Sequence, residues 1–192
     1  MSLVLASASP RRKALLTLLY ADFQCLASDI DEAVRAQELP EDYVCRMAIE
    51  KAQACPVAEA VVLAADTSVT LNQQILGKPD NSDQARWMLQ SLSGRTHQVL
   101  TAVAVRQGSV LRTSLVATDV DFVTLSTELI DRYLLTSEPW DKAGSYGIQG
   151  FAGSFVRAIR GSYSAVVGLP LAETRELLSG FGLMPTWSDT DA

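Results

Sequence analysis

The sequence has a single histidine, His97, among its 192 residues, which excludes a histidine-rich metal centre. A Ser-His-Asp triad would call on that histidine, but no G-x-S-x-G turn accompanies it. Cysteine is scarce as well. Cys25, Cys45 and Cys55 are odd in number and form no CxxC pair, so neither a disulfide framework nor a zinc site is expected. They read as buried thiols in a reducing compartment. No run approaches the roughly 18 apolar residues of a membrane span. The start, Met1-Ser2-Leu3-Val4-Leu5-Ala6, is too short for the apolar region of a signal peptide, and its charges follow it. A cytoplasmic globular protein without a membrane partner is expected. Positive charge is in deficit too, with 16 Lys+Arg against 22 Asp+Glu and a net charge of −6. Such a surface repels nucleic acid, and the few aromatics are not interleaved with a basic stripe. A small polyanion held by a local cluster of cations with a metal ion is still compatible with this balance.

What is present is a core. Hydrophobic residues make up 48% of the chain, and at this size folding buries roughly 70% of the unfolded surface. No linker and no internal repeat divides the sequence, so residues 1–192 are expected to form a single domain, built from two lobes if divided at all. Leu3–Ala6 reads as a buried strand, followed by a Ser9 N-cap and Pro10 at the first helical position of a helix reaching about Tyr20. Phe23–Ala27 reads as a strand, and Pro40 to about Ala54 as a helix with Val44, Met47 and Ala48 on one face. The uncharged run Val61–Ala65 predicts a central strand ending at Asp66. Ser68–Leu71 and Gln74–Leu76 predict a hairpin around Asn72-Gln73. Ser82 is expected to cap a helix carrying Ala85, Met88, Leu89 and Leu92, with Gly94 stopping it. Gln98–Arg106 and Val110–Leu125 read as long strands. Ser126 opens a further helix, 137–153 is a polar, glycine-rich stretch, Phe155–Ile159 is a strand and Pro170–Ser179 a closing helix. Strands and helices mix without strict alternation, which predicts an α/β or α+β architecture around a mixed β-sheet.

Several residues stand out against that background. Ser7-Ala8-Ser9-Pro10-Arg11-Arg12-Lys13 puts three cations in the first turn of a helix, where the dipole favours negative charge. An anion docked on the free N–H groups would remove the conflict; a solvated basic turn is the alternative. Lys51 lies seven residues after Val44, on the apolar stripe of its helix, so it either snorkels out or faces a polar cleft. Asp66-Thr67 closes a buried strand, where a carboxylate serves as base or metal ligand, or simply forms an Asx-turn. Glu32, in an acidic loop that also reads as a solvated turn, offers a second hard oxygen ligand of the kind that suits Mg²⁺ or Mn²⁺. Lys78 in Gly77-Lys78-Pro79 would be a surface residue if isolated. Gln149, between small residues, has both a donor and an acceptor for a base edge. Asp119 and Asp121 alternate with apolar neighbours and read as the solvent face of a strand.

In order, these segments resemble the Maf family of nucleoside triphosphate pyrophosphatases. The matching pieces are Leu5-Ala6-Ser7-Ala8-Ser9-Pro10-Arg11-Arg12, Asp31-Glu32, Glu50-Lys51-Ala52, Ala65-Asp66-Thr67, Gly77-Lys78-Pro79, Leu92-Ser93-Gly94, His97, Asp141-Lys142-Ala143-Gly144, Gly147-Ile148-Gln149-Gly150 and Val167-Gly168-Leu169-Pro170. They run from residue 3 to about 181, leaving 182–192 as a tail without a motif. Ser-Pro-Arg-Arg, Ala-Asp-Thr and Gly-Ile-Gln-Gly are similar to the branch acting on dTTP and UTP. The 7-methyl-GTP branch tends to carry a Trp after the Pro, Asp-Gln and a Ser-Glu-Gly loop, none of which occurs here.

The resemblance implies a fold of two lobes around a central cleft, related to inosine triphosphatases, and commonly a homodimer. It implies Asp66 as the base activating water, Lys51 and Lys78 as catalytic cations, and Glu32 with Asp66 as ligands of Mg²⁺ or Mn²⁺. Ser7, Ser9 and Arg12 would line the phosphate site, while Arg11, Thr67 and Gln149 are linked to substrate choice. The expected reaction is metal-assisted attack of water on the α-phosphate of dTTP or UTP, or of a modified pyrimidine nucleotide. Two alternatives stay open: a nucleotide-binding regulator of cell division, and an inosine triphosphatase-like enzyme acting on damaged purines.

Overall fold

The computed structural model describes residues 2–187, so positions 188–192 of the expected tail lie outside the described residues. The elements follow in the order β1 (Leu3–Leu5), α1 (Pro10–Thr17), β2 (Gln24–Cys25), α2 (Pro40–Ala54), β3 (Val61–Leu71), β4 (Gln74–Leu76), α3 (Ser82–Leu92), β5 (Thr96–Gln107), β6 (Val110–Phe122), α4 (Thr127–Leu134), β7 (Val156–Arg160), α5 (Tyr163–Val167) and α6 (Leu171–Ser179). Three short 3-10 turns occupy Pro139–Asp141, Ala143–Ser145 and Phe151–Phe155. One mixed sheet runs β2-β1-β3-β5-β6-β7, with β4 added against the far end of β3. β1 lies parallel to β2 and β3, and the remaining pairs are antiparallel. No described helix is long and apolar enough to cross a membrane.

The strands β3, β5 and β6 are 11, 12 and 13 residues long, about twice the usual length, and β3 and β5 each serve two lobes. In the first lobe the sheet is covered on both faces. Leu63 and Ala65 of β3 pack with Leu15 and Leu16 of α1 and Leu178 of α6. The alternate residues Val62 and Ala64 pack with Val44, Ala48 and Ala52 of α2. The α2 face is lined by Ala6, Ala64, Ala102 and Ala104, and small side chains let a helix lie close to its partner. In the second lobe, Val69 of β3 and Val99 of β5 join α3, α4, Tyr146 and Phe155 in a separate core. The cleft between the lobes opens where β3 passes from one core to the other.

Four sequence expectations change. The strand from Val61 does not end at Asp66 but continues to Leu71, because β5 pairs along its whole length, with Asp66 opposite Ala102 and Thr67 opposite Thr101. Asn81, not Ser82, caps α3, its side chain accepting from Gln84 N–H at 2.9 Å. Cys25 is exposed while Cys55 is buried, so the thiols do not share one environment. The polar stretch before Phe155 is folded into 3-10 turns, and α5 carried no periodicity long enough to read. The Ser9 cap is as expected, its hydroxyl accepting from Arg12 N–H at 3.4 Å. The tail also packs: Trp187 donates to the Leu18 carbonyl at 2.9 Å, and Ala21 N–H to the Thr186 hydroxyl at 2.7 Å.

Candidate active site

Asp66 is the sixth of the eleven residues of β3, at the junction of the two lobes. It has the same parity as Val62 and Ala64, so its side chain points to the α2 side of the sheet. Val44 and Met47 are fully buried on α2, each stabilising the helix contact by about 1.5–3 kcal/mol, and this packing fixes where Lys51 enters one turn later. Its ammonium lies 2.7 Å from Asp66 Oδ1 and 2.7 Å from Glu32 Oε1. Lys51 therefore faces a polar cleft; it does not snorkel to solvent. It also sits in the last turn of α2, where the dipole favours a cation.

The Glu32 loop has no regular structure, yet it is fastened to the same helix. The Tyr43 hydroxyl donates to the Glu32 carbonyl at 3.0 Å, and Arg46 donates to the Ala33 carbonyl at 3.0 Å. Arg46 also makes a two-pronged pair with Glu38 at 2.5 and 2.7 Å. Its hydrogen bonds pull the Glu38 carboxyl down to about 2. The two site carboxylates differ in character. Burial raises the pKa of Asp66, against the opposing pull of Lys51 and Arg12. Partial burial also acts to raise Glu32, but Lys51, Lys78 and Arg12 together hold it below its ordinary value. One is a firm anion and the other a stronger base.

Thr67 has the opposite parity and meets α1. Arg12 donates through Nη2 to Thr67 Oγ1 at 3.2 Å and through Nη1 to Ser7 Oγ at 3.5 Å. Its Nε donates to the Gly168 carbonyl at 2.9 Å. Gly168 has φ +129°, a conformation that favours glycine and here turns that carbonyl toward Arg12. Ser7 also accepts from Ser9 N–H at 3.1 Å. The cations of the first helical turn are thus partly answered by the protein itself, Arg12 by these groups and Arg11 by Asp141 at 3.3 Å.

The site residues expected from the sequence, from Ser7 and Ser9 to Lys78 and Gln149, all border one cleft of about 1000 Å³. Sequence reasoning did not single out Tyr43, Glu138 or Tyr146, which line it too. Tyr43 carried a usable signal, lying one residue before the apolar stripe of α2. His97 lies in the second core, where its Nε2 is 2.7 Å from the Tyr146 hydroxyl. Burial lowers its pKa to about 4. For a metal, no group of three or more His, Cys, Asp or Glu converges among the described residues. Glu32 and Asp66 nevertheless each give one oxygen to Lys51 and keep the other free of hydrogen bonds from described residues. Two carboxylates suit Mg²⁺ or Mn²⁺, which complete their shell with water and substrate phosphate oxygens.

A family model described as Maf-like protein matches residues 2–181. The chain belongs to the Maf family. Among curated Maf relatives, the dTTP/UTP pyrophosphatase of Pseudoalteromonas atlantica is 53% identical over 187 residues, covering 94% of this chain and 97% of that protein. The dTTP/UTP pyrophosphatase of Shewanella oneidensis is also 53% identical, covering 96% and 100%. That of Escherichia coli K12 is 51% identical, covering 95% and 94%. Among solved structures, the Ham1 protein of Staphylococcus aureus matches 94% of this chain and all of its own, with a TM-score of 0.53 at 12% identity. At that identity the likeness shows the fold alone, the inosine triphosphatase-like architecture expected of a Maf protein.

Proposed function

We propose that this Maf protein hydrolyses dTTP and UTP to the nucleoside monophosphate and pyrophosphate. The names of its relatives support the substrate. The observation that carries the chemistry is Asp66, a buried carboxylate of raised pKa in a cleft that also holds Lys51, Arg12 and Lys78. Lys51 engages Oδ1, and no hydrogen bond from a described residue occupies Oδ2. Asp66 takes a proton from water as the water oxygen bonds to the α-phosphorus. The bond from that phosphorus to the α,β-bridging oxygen breaks, and pyrophosphate leaves with the electron pair. Lys51, Lys78 and Arg12 set positive charge against the leaving group in a site partly shielded from water. Glu32 and Asp66 would hold Mg²⁺ or Mn²⁺, which supplies Lewis-acid polarisation of phosphate oxygens when bound. Local cations thereby let a chain of net charge −6 accept a polyanion. Gln149 meets the base with one donor and one acceptor, and Arg11 and Thr67 border the same path.

The test is a panel of canonical nucleoside triphosphates with Mg²⁺ or Mn²⁺, with pyrophosphate and orthophosphate detected separately. Pyrophosphate from dTTP and UTP, lost with EDTA, is expected. Pyrophosphate from purines instead keeps the reaction and overturns the substrate, while orthophosphate overturns the reaction. A homodimer in the cytoplasm completes the reading, and light scattering of the purified protein at twice 20.7 kDa checks the first part.

A further inference from the structure

Gln149 is exposed on a loop that leads into the 3-10 turn Phe151–Phe155 without forming regular structure. A side chain on such a loop discriminates between bases only if its backbone is held. We propose that Glu138 is the positioning residue that holds it, acting as a side-chain cap on that turn. Its Oε2 accepts from Phe151 N–H at 2.7 Å and its Oε1 from Ala152 N–H at 3.1 Å. These are the first N–H groups of the turn, which have no partner within it. The Tyr133 hydroxyl donates to Oε1 at 3.0 Å, and Tyr133 is buried in the second core on α4. Glu138 thereby ties the Gln149 loop to a rigid helix. Burial, with the Glu138 charge behind it, raises the Tyr133 pKa, so the phenol stays a donor across the working range.

Two neighbours show that the loop is shaped around this carboxylate. A Cβ at Gly150 would collide with the Glu138 carboxyl group, so a side chain there would push the carboxylate off its bonds to Phe151 and Ala152. The backbone of Glu138 is fixed as well, its carbonyl accepting from Lys142 Nζ at 2.7 Å. Glu138 borders the cleft, but both its oxygens are engaged by the protein, which assigns it to positioning the loop and not to binding substrate.

This inference rests on the reading of Gln149 as the base-recognising residue. The test uses Glu138→Ala and Glu138→Gln in the full chain, with two readouts. The first is amide hydrogen exchange without nucleotide, where Glu138→Ala should speed exchange at 149–152 by about tenfold or more, as expected when charge-assisted bonds are lost. The second is steady-state kinetics well below each variant's Tm. Glu138→Ala should raise KM for dTTP about tenfold and lower the dTTP:dGTP ratio of kcat/KM, with kcat changing less than threefold. Glu138→Gln, which keeps one acceptor, should recover part of both effects. Unchanged KM and selectivity in Glu138→Ala overturn the proposal even where Tm falls, because that pattern is purely structural. Wild-type protein that releases no pyrophosphate from dTTP or UTP refutes the proposed function instead, and the exchange readout then judges the loop anchor by itself.

Discussion

Lys51 forms an ion pair with both site carboxylates, so replacing it tests the electrostatics of the cleft. Lys51→Met keeps the aliphatic stem and removes the charge. Glu32 is half exposed, and exposed pairs contribute little, so only the buried pair with Asp66 is counted. Leaving one partner of a buried pair without its counter-charge costs about 3–5 kcal/mol. For a chain of this length, each kcal/mol moves Tm by about 2–4 °C, so a loss of about 6–20 °C is expected at pH 8. The sign of its pH dependence follows from Asp66. A carboxyl whose folded pKa lies above its unfolded value destabilises the fold as pH rises through that folded pKa, and relieves it as pH falls. Without Lys51 the upward shift grows, so the Tm deficit should shrink steadily as the buffer is taken from pH 8 toward pH 5. Thermal unfolding in EDTA across that range measures it, and Lys51→Met/Asp66→Asn should recover much of the loss at pH 8. A deficit of under 2 °C, or one independent of pH, would refute the picture of a buried charge held by Lys51.

Asp66→Asn should keep the fold and lower kcat by about 10²-fold or more, as loss of a general base does; near-normal turnover removes Asp66 from that role. In the metal-free wild type, burial should make the Asp66 carboxyl titrate above the ordinary carboxylate range in ¹³C NMR, and titration at the ordinary value would contradict the buried environment. Gln149→Glu should change the pyrimidine-to-purine ratio while leaving the half-saturating metal concentration within about twofold; the opposite pattern would place Gln149 at the metal instead. Arg46→Ala, which removes the Arg46 ties of the Glu32 loop to α2 and leaves that of Tyr43, should raise the half-saturating Mn²⁺ concentration severalfold, whereas an unchanged value would separate Glu32 from the metal.

The legible parts of the structure were those written in local periodicity. The stripe Val44, Met47, Ala48 exposed Lys51 as an anomaly, and the Ser9-Pro10 pair marked the start of α1. The extent of β3 was hidden because Asp66 interrupts an apolar run. A buried carboxylate looks like a strand end until its partner on α2 is known, and that partner lies 15 residues away in sequence. Arg12 could be seen as a cation at the wrong end of a dipole, but its contact with the Gly168 carbonyl spans 156 residues. Glu138 gave no local signal at all. Its role depends on two N–H groups and a glycine from a segment 12–14 residues on, brought back only by the turns between them. Residues set in a local pattern or motif were readable, Lys78 and Gln149 among them, and the contacts between segments far apart in sequence were not.

In the proposed reaction water attacks the α-phosphorus and not the β-phosphorus. Hydrolysis of dTTP in ¹⁸O-labelled water, with both products examined by mass spectrometry, tests it most directly. Label in thymidine monophosphate, with unlabelled pyrophosphate, is the expected result. Label in the pyrophosphate would put the attack on the β-phosphorus and contradict the assigned chemistry.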